Sequence, residues 1–463
     1  MGGLQAGAGK RVIAVPQDYL AVENFGMIHD PIHARAVAIR QEKAENTVIL
    51  VSLEITSMPG EETEAIRTLI AGKTGVREEN IWVCVTHSFS SPHLLPDHFF
   101  KSETELALKA EYREALQSAA VGAAADAVEH MQSTTLAVGA GDCGIVASRD
   151  IETADGWWVG TNGDGPTNRT VTVLRFNDSA GKPIALISHF AIQSSVMDQS
   201  ELSDGKKPVT SDIAGNACRK VEEESGESLV CLFLIGAAAD QAPIEKAVNE
   251  TFENGEKIHT DLHEEGFAIC ERLSEELKKR ICEIAHEAGQ SQTRMNSLQG
   301  NVLCGQKAQS QCRKNEADGC SENAESCEAT PDERTEPVIK VTSASLMVPA
   351  KHMNRDLHSL RPTRHAVYEP DGESETTIEA IRIGDLALLG VKPELTCKTA
   401  AFIAEQSGFG TTLICTLVNG ASKYMADESA YDRSCYEAQN SPFGRGAAEL
   451  LAAKAVELLE NLK

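Results

Sequence analysis

Short apolar runs typical of β-strands alternate with longer helical patterns along most of this chain. Strand patterns lie at residues 36–40, 48–53, 81–86, 171–176, 184–192, 229–235, 386–390 and 412–418, and helical patterns at 61–74, 103–131, 211–223, 264–287, 393–405 and 446–462. Strands separated by helices are typical of sheets in which some neighbouring strands run parallel. The sequence therefore predicts an α/β fold with mixed, partly parallel sheets flanked by helices.

One polar segment interrupts this alternation. The stretch 289–336 is rich in Gln, Ser, Asn, Glu and Lys and has almost no apolar periodicity. Such a composition predicts an insertion or long loop, here within a single domain that covers residues 1–463. Its four cysteines lack the closely spaced pairs that are typical of structural zinc sites. They are Cys304, Cys312, Cys320 and Cys327.

The charge balance excludes several classes of protein. With 43 Lys and Arg against 69 Asp and Glu, the formal net charge is −26. Phosphate backbones and anionic lipid surfaces repel such a chain, so we expect neither nucleic-acid binding nor stable membrane attachment. The longest nearly unbroken apolar stretch, residues 229–239, is much shorter than a membrane-spanning helix requires. The start of the sequence has no export signal, which predicts a cytoplasmic protein with reduced cysteines.

A histidine directly follows one of the predicted strands. Residues 83–93 are Val-Cys-Val-Thr-His-Ser-Phe-Ser-Ser-Pro-His, which places His87 at the carboxyl end of an apolar run. In α/β proteins, functional groups often lie at this end of a strand. A histidine in an ordinary turn would give the same local pattern, so this segment alone leaves both interpretations open.

Several further segments, taken together and in order, resemble the catalytic region of the neutral/alkaline non-lysosomal ceramidase family. The segment at 29–36, His-Asp-Pro-Ile-His-Ala-Arg-Ala, is similar to a family motif with the letters HDPLYARA, and Thr-His-Ser at 86–88 follows it. The other matching segments are 4–10, 51–54, 172–176, 210–215, 236–240, 391–394, 419–424, 431–437 and 443–444. The resemblance covers almost the whole chain and implies the catalytic fold of that family.

This resemblance implies a zinc-dependent amidase. In the family, two histidines, a glutamate and a tyrosine hold the metal, which activates a water molecule for attack on the amide. Three of these four ligands have counterparts here, namely His87, Glu394 and Tyr424. The resemblance thus implies zinc, or another divalent metal, as the cofactor.

The same resemblance implies three residues that act on the substrate. Tyr436 matches the tyrosine that polarises the substrate carbonyl, and Arg149 matches a substrate-binding arginine. Asp240, in the segment Gly-Ala-Ala-Ala-Asp, is expected to orient the site. Preorganised donors of this kind stabilise the oxyanion that develops during acyl transfer.

The chain departs from the family pattern at three positions. Gln193 stands where the family has its second zinc histidine, and a neutral amide oxygen is a weaker zinc ligand than imidazole. Either Gln193 itself or His189 is expected to fill that metal position, and His93, six residues after His87, is a further candidate. Phe89 stands where the family has another active-site histidine, and we place Phe89 and His93 beside the substrate. The third departure is Ala242, which replaces a serine that ceramidases use in hydrolysis.

These observations predict a metal-dependent hydrolase that cleaves an amide or related acyl bond in a small soluble substrate. Two alternatives remain open at this point. The first is a metal-assisted lyase or isomerase, and the second is a non-catalytic metabolite-binding protein of the same fold. We expect no C-terminal β-domain, a small molecule as the partner, and a homo-oligomer as one possible assembly.

Overall fold

The fold is described from a computed structural model, which covers residues 3–41, 46–253, 256–297, 338–353 and 360–463. The strands are β1 (Leu4–Val12), β2 (Phe25–Ile28), β3 (His33–Gln41), β4 (Thr47–Leu53), β5 (Ile81–Val85), β6 (Gln132–Asp142), β7 (Val146–Thr153), β8 (Gly156–Asn162), β9 (Thr170–Asn177), β10 (Pro183–Phe190), β11 (Lys207–Val209), β12 (Val230–Ile235), β13 (Gln241–Pro243), β14 (Val248–Glu253), β15 (Glu256–Asp261), β16 (Ile339–Lys351), β17 (Pro370–Ile383), β18 (Leu386–Val391), β19 (Glu394–Leu395), β20 (Thr411–Cys415) and β21 (Tyr424–Met425). The α-helices are α1 (Gly60–Thr74), α2 (Glu103–Glu129), α3 (Asp212–Glu224), α4 (Gly266–Ser297), α5 (Cys397–Gln406), α6 (Glu428–Arg433), α7 (Tyr436–Gln439) and α8 (Ala447–Leu462). Short 3₁₀ turns lie at Gln17–Glu23, Glu78–Asn80, Asp97–Phe99 and His263–Glu265.

Two sheets form the centre of the molecule. The larger has eight strands in the order β12-β10-β9-β6-β1-β3-β4-β5, and the smaller has four in the order β16-β17-β18-β20. In the larger sheet, β4 pairs with β5 and β10 pairs with β12 in parallel, while its other pairs are antiparallel. In the smaller sheet, β18 and β20 are parallel. The fold is therefore the mixed, partly parallel α/β fold that the sequence predicts.

The alternation of side chains along the strands stacks these sheets between helices. In β4, Ile49 and Val51 belong to a core shared with α1–α4, whereas Val48 and Leu50 face a core shared with the smaller sheet. In β18, Leu388 lies in that second core, and Leu389 packs on the other side with α5 and α8. Because successive strand residues point to opposite faces, β4 and β18 are each buried on both sides. The layers follow the order helix, sheet, sheet, helix.

The predicted strands and helices agree closely with these elements, apart from a few corrections. The helical pattern at 393–405 begins only at Cys397, because Glu394–Leu395 pairs as β19 with β21. The polar stretch predicted as a loop from residue 289 is helical as far as Ser297, where α4 ends. The remainder of that stretch, with its four cysteines, lies outside the described residues.

In the described part of the chain, we find no helix with the length and apolar character needed to cross a lipid bilayer.

Candidate functional site

Two loops of the larger sheet lie side by side, and each follows the carboxyl end of a strand that has a parallel neighbour. His87 follows β5, Gln193 follows β10, and an isolated parallel bridge joins Ser88 to Ser194. The Phe89 N–H also donates to the Ser194 carbonyl, with an N–O distance of 3.0 Å. These backbone contacts hold two predicted site residues side by side, although the strands that carry them lie toward opposite ends of the sheet.

His87 is a buried imidazole in an unusual backbone conformation. Its φ is 58°, in the left-handed region that non-glycine residues rarely occupy, and its side chain is 4% exposed. The ring Nδ1 lies 2.6 Å from the Thr56 carbonyl oxygen, so Nδ1 must carry the proton that this contact requires. Nε2 then faces the site, 3.0 Å from Glu394 Oε2, and has no hydrogen bond of acceptable geometry within the described structure.

Glu394 and Tyr424 are brought together by a short parallel strand pair. Residue 394 on β19 is the direct register partner of residue 424 on β21. Both side chains are buried. Although burial opposes ionisation, the neighbouring His87 lowers the pKa of Glu394 below its usual range, and Arg149 contributes to the same shift. Burial raises the pKa of Tyr424, so its phenol is neutral at physiological pH.

Gln193 connects Glu394 to an arginine. Its Nε2 donates to Glu394 Oε2 at 3.2 Å, while its Oε1 accepts from Arg149 Nη1 at 3.0 Å. The reversed amide would turn its NH₂ toward the guanidinium and its oxygen toward the carboxylate, so these two neighbours fix the orientation. The oxygen that Gln193 could offer to a metal is therefore bound to Arg149 in this structure.

Arg149 is enclosed by a carboxylate and two aromatic rings. Its Nε donates to Glu437 Oε1 at 2.7 Å, and its Nη2 lies 2.6 Å from the same oxygen. The guanidinium carbon is 5.0 Å from the ring centroid of Tyr424 and 5.5 Å from that of Tyr436. Such cation–π contacts are favourable in a desolvated site. Arg149 and both tyrosines thus form one packed unit beside Glu394.

An aromatic contact extends this unit. The rings of Trp158 and Tyr436 meet edge to face with centroids 5.5 Å apart, and Phe252 lies 5.4 Å from Trp158 in a second edge-to-face contact. Tyr436 also accepts at its hydroxyl a hydrogen bond of 3.1 Å from the side-chain amide of Asn440. These contacts fix the ring of the tyrosine that the sequence predicts to polarise a substrate carbonyl.

The other predicted residues occupy different surroundings. Phe89 packs against the His87 imidazole with ring centroids 4.5 Å apart. His93 is held by Glu23, whose Oε2 lies 2.7 Å from His93 Nδ1, and its side chain is 32% exposed. His189 is buried, and its Nε2 contacts the Ile414 carbonyl at 2.9 Å, which commits that nitrogen to the interior between the sheets. The predicted roles of these three residues stay predictions.

Asp240 lies in the loop after β12 and contacts the start of α5. Its Oδ1 accepts from the Cys397 N–H at 2.9 Å, and the Cys397 thiol donates to Oδ2 at 3.2 Å. Its own carbonyl accepts from the backbone N–H of Arg149 at 2.9 Å. Burial raises the pKa of Asp240 to about 6. Asp240 thus supports the strand that carries Arg149, and its orienting role stays a prediction.

Comparison with known families agrees with the resemblance drawn from the sequence. The sequence profile of the neutral/alkaline non-lysosomal ceramidase N-terminal region matches residues 23–344, which is more than half of the chain. The chain belongs to this ceramidase family. No curated protein sequence matches it significantly.

Solved ceramidase structures share the fold of this family member. The crystal structure of neutral ceramidase from Pseudomonas aeruginosa matches with a TM-score of 0.69 and 17% identity, covering 100% of this chain and 75% of that one. A ceramidase structure described as complexed with C2 matches with a TM-score of 0.69 and 16% identity, over the same shares of the two chains. At this identity the likeness establishes the fold, while the family match supports a hydrolase of amide bonds.

Two residues of this ceramidase-like site were missed in the sequence. Glu437 was part of a matching segment but received no role, although it anchors Arg149 from 288 positions away. Thr56 supplies the carbonyl that fixes the His87 ring, and a backbone acceptor leaves no signal in side-chain patterns. The position of Glu437 directly after Tyr436 was the available clue.

Proposed function

We propose that this ceramidase-family chain is a metal-dependent hydrolase that cleaves an amide bond in a small soluble substrate. The observation that carries the proposal is the contact between His87 Nε2 and Glu394 Oε2 at 3.0 Å. With Nδ1 donating to the Thr56 carbonyl, His87 turns Nε2 toward a buried carboxylate. An imidazole nitrogen and a carboxylate oxygen at this distance are favourable only with a proton or a metal cation between them, and a bound divalent ion would take the place of that proton.

The donor set fits a divalent metal. His87 supplies an imidazole nitrogen, Glu394 a carboxylate and Tyr424 a phenol oxygen, which together leave a coordination position for water. A metal bound there would lower the pKa of that water toward neutrality and polarise the substrate carbonyl. Zinc accepts such mixed nitrogen and oxygen ligands, although a single imidazole also suits other divalent ions.

The surrounding residues prepare these ligands. Thr56 holds the His87 ring in the tautomer that leaves Nε2 available, which is the usual arrangement around a metal-binding histidine. The Gln193 amide donates to the Glu394 oxygen that faces His87, and so fixes the carboxylate. Neither contact requires Gln193 to bind the metal.

Tyr436 and Arg149 are the proposed oxyanion donors. Tyr436 keeps its proton at neutral pH, because burial raises its pKa, and can donate a hydrogen bond to a substrate carbonyl. Arg149 keeps its positive charge, since its pKa is raised despite burial by the nearby Tyr424 and Glu437. Donors held in a buried site before the reaction stabilise the tetrahedral intermediate without reorganisation.

A small soluble substrate agrees with the charge of the chain. A net charge of −26 weakens approach to anionic membrane surfaces, where long-chain lipid amides reside. The chain also has Ala242 in place of the family's serine, so ceramide itself is not the substrate we propose. Short N-acyl amides dissolved in water are the class to screen first.

The test is the metal content of the full-length protein purified without chelator, measured by elemental mass spectrometry. We expect His87→Ala to contain about one divalent ion fewer per chain than wild type. His189→Ala, which also removes a buried imidazole, should keep the wild-type content. Chelation should abolish hydrolysis of short N-acyl amides, and zinc should restore it. Equal metal content in wild type and His87→Ala would overturn the proposal and favour a metabolite-binding protein.

A further inference from the structure

A second group of ligand-type side chains lies behind Arg149. Asp150 follows that arginine on β7, and Cys435 and Glu437 flank the start of α7. One ligand atom from each of these three side chains lies within 4.8 Å of the others. All three residues are buried, with exposed fractions of 4%, 0% and 1%. This group does not include His87 or Glu394, and only Glu437 contributes to the site described above, where it anchors Arg149.

The arrangement leaves a buried carboxylate oxygen without a partner. Glu437 Oε1 is bound by Arg149, but Oε2 has no hydrogen-bond partner among the described residues. An unpaired polar atom at full burial is costly and calls for a proton or a cation. The nearby Asp150 carboxylate increases that need, since two buried like charges repel each other.

We propose that Asp150, Cys435 and Glu437 form a second, structural site for a zinc ion. Zinc is bound at about 2.3 Å by thiolate sulfur and about 2.0–2.2 Å by carboxylate oxygen, so ligand atoms around one ion lie less than about 4.6 Å apart. At tetrahedral angles these ligand atoms would lie roughly 3.4–3.6 Å apart, so the side chains, whose ligand atoms lie within 4.8 Å of one another, would close around a bound ion. A thiolate together with carboxylates favours zinc over calcium or magnesium.

Two arginines complete the outer part of this site. Arg433 Nη2 lies 3.2 Å from Asp150 Oδ2, as Arg149 lies beside Glu437. Carboxylates that bind a metal are themselves commonly held by hydrogen bonds from the surrounding protein. Each carboxylate has more lone pairs than its arginine uses, so both contacts can persist when an ion is bound.

The group has the same total charge with two protons as with one divalent metal ion. Without an ion, burial and the Asp150 charge raise the pKa of Glu437, and burial followed by the neighbouring carboxylates raises the pKa of the Cys435 thiol. Both groups then hold protons at neutral pH, and two arginines offset one carboxylate. Exchange of those two protons for one divalent ion leaves the total charge of the group unchanged.

The experiment uses the full-length protein, stripped of metal and titrated with cobalt(II), a spectroscopic substitute for zinc. A cobalt–thiolate bond absorbs in the near ultraviolet, and the proposed catalytic ligands include no thiol. We expect wild type to show this band and Cys435→Ser to lose part or all of it, together with about one bound ion per chain. Any band that the cysteines at 304, 312, 320 and 327 contribute cancels in the difference.

Two matched variants distinguish this site from a second buried thiol and from the catalytic metal position. Cys397→Ser removes a thiol that donates to Asp240 but belongs to no group of three ligand-type side chains in the described part of the chain, so the band should persist. His87→Ala should keep the band while losing the catalytic ion, which separates failure here from failure of the proposed function. Asp150→Asn, with its smaller structural change, should weaken cobalt binding as Cys435→Ser does. An identical band and stoichiometry in wild type and Cys435→Ser would overturn the site.

Discussion

Replacement of Arg35 by methionine should destabilise the fold far more than loss of an exposed charge. Arg35, on β3, donates from Nε to Glu222 Oε1 at 2.7 Å and from Nη2 to Oε2 at 3.1 Å, and its Nη1 binds Glu54. The side chains of Arg35, Glu222 and Glu54 are 3%, 0% and 1% exposed. Methionine retains much of the arginine stem but removes the charge that faces both carboxylates.

The magnitude follows from what remains after the substitution. Lys10 Nζ still lies 2.9 Å from Glu222, whereas Glu54 keeps the hydrogen bond from the uncharged His33 backbone N–H at 2.6 Å, so Glu54 loses more of its charge compensation. Breaking a buried pair in this way costs about 3–5 kcal/mol. This is a large share of a total stability of roughly 5–15 kcal/mol. The matched control is Arg77→Met, because Arg77 and Glu79 form a pair 3.1 Å apart with both side chains 60% exposed. Exposed pairs contribute about 0–1 kcal/mol.

The assay is urea unfolding followed by tryptophan fluorescence, since Trp82 is fully buried. Burial alone would raise the pKa of Glu54 and Glu222, but Arg35 lowers the pKa of both below the usual range. Lowered carboxyl pKa values stabilise the wild-type fold at neutral pH, and this stabilisation is lost as pH falls below about 4. The difference in unfolding free energy between wild type and Arg35→Met should therefore become smaller at acidic pH. This reasoning would be refuted if Arg35→Met and Arg77→Met lost equal amounts of unfolding free energy, or if the difference between wild type and Arg35→Met did not change with pH.

Two further substitutions test other parts of the structure. Asp240→Asn should stabilise the protein at pH 7 by up to about 3 kcal/mol, because the folded-state pKa of about 6 makes the ionised carboxylate unfavourable. Thermal melts should show this gain in stability vanish as pH falls from 6 to 4. A stability difference between Asp240→Asn and wild type that stays constant over this pH range would contradict the prediction. Gly9→Ala should destabilise by at least about 1–3 kcal/mol, because a Cβ there overlaps the Ala123 carbonyl of α2. Gly72→Ala has open space around its Cβ and should be neutral or stabilising in the same denaturation assay.

The elements with strong apolar patterns could be predicted closely from sequence. The run at 48–53 is nearly continuous in apolar residues because β4 is buried on both faces, and the structure extends it by one residue. The long hairpin of β16 and β17 was missed, because most side chains along β16 are partly exposed and none of the seven residues after Pro370 on β17 has an apolar side chain. Strands that form an exposed ribbon carry little apolar periodicity to detect.

The residues of the site could be predicted from the sequence only where the chain resembles the motifs of the family. Individual residues such as His87, Glu394 and Tyr424 could be named, and the structure brings them together. The hydrogen bonds between site residues could not be predicted. To predict the one from Arg149 to Gln193, one would have to know which strands are neighbours. Residues 256–261, which form β15, were not predicted as a strand, because they pair with β14 in a small, mostly exposed ribbon that lacks apolar periodicity.

The site residues lie far apart along the sequence, and this affects the stage of folding at which the site forms. Gln193 and Glu394 are 201 positions apart, and Arg149 and Glu437 are 288 apart. Contacts at such separation form late, since the entropy of closing long loops must be overcome before they contribute. During refolding, helical circular dichroism should recover before binding of the proposed metal ion does. The site is therefore assembled only when distant parts of the chain have formed their tertiary contacts. We expect partly folded chains to be inactive.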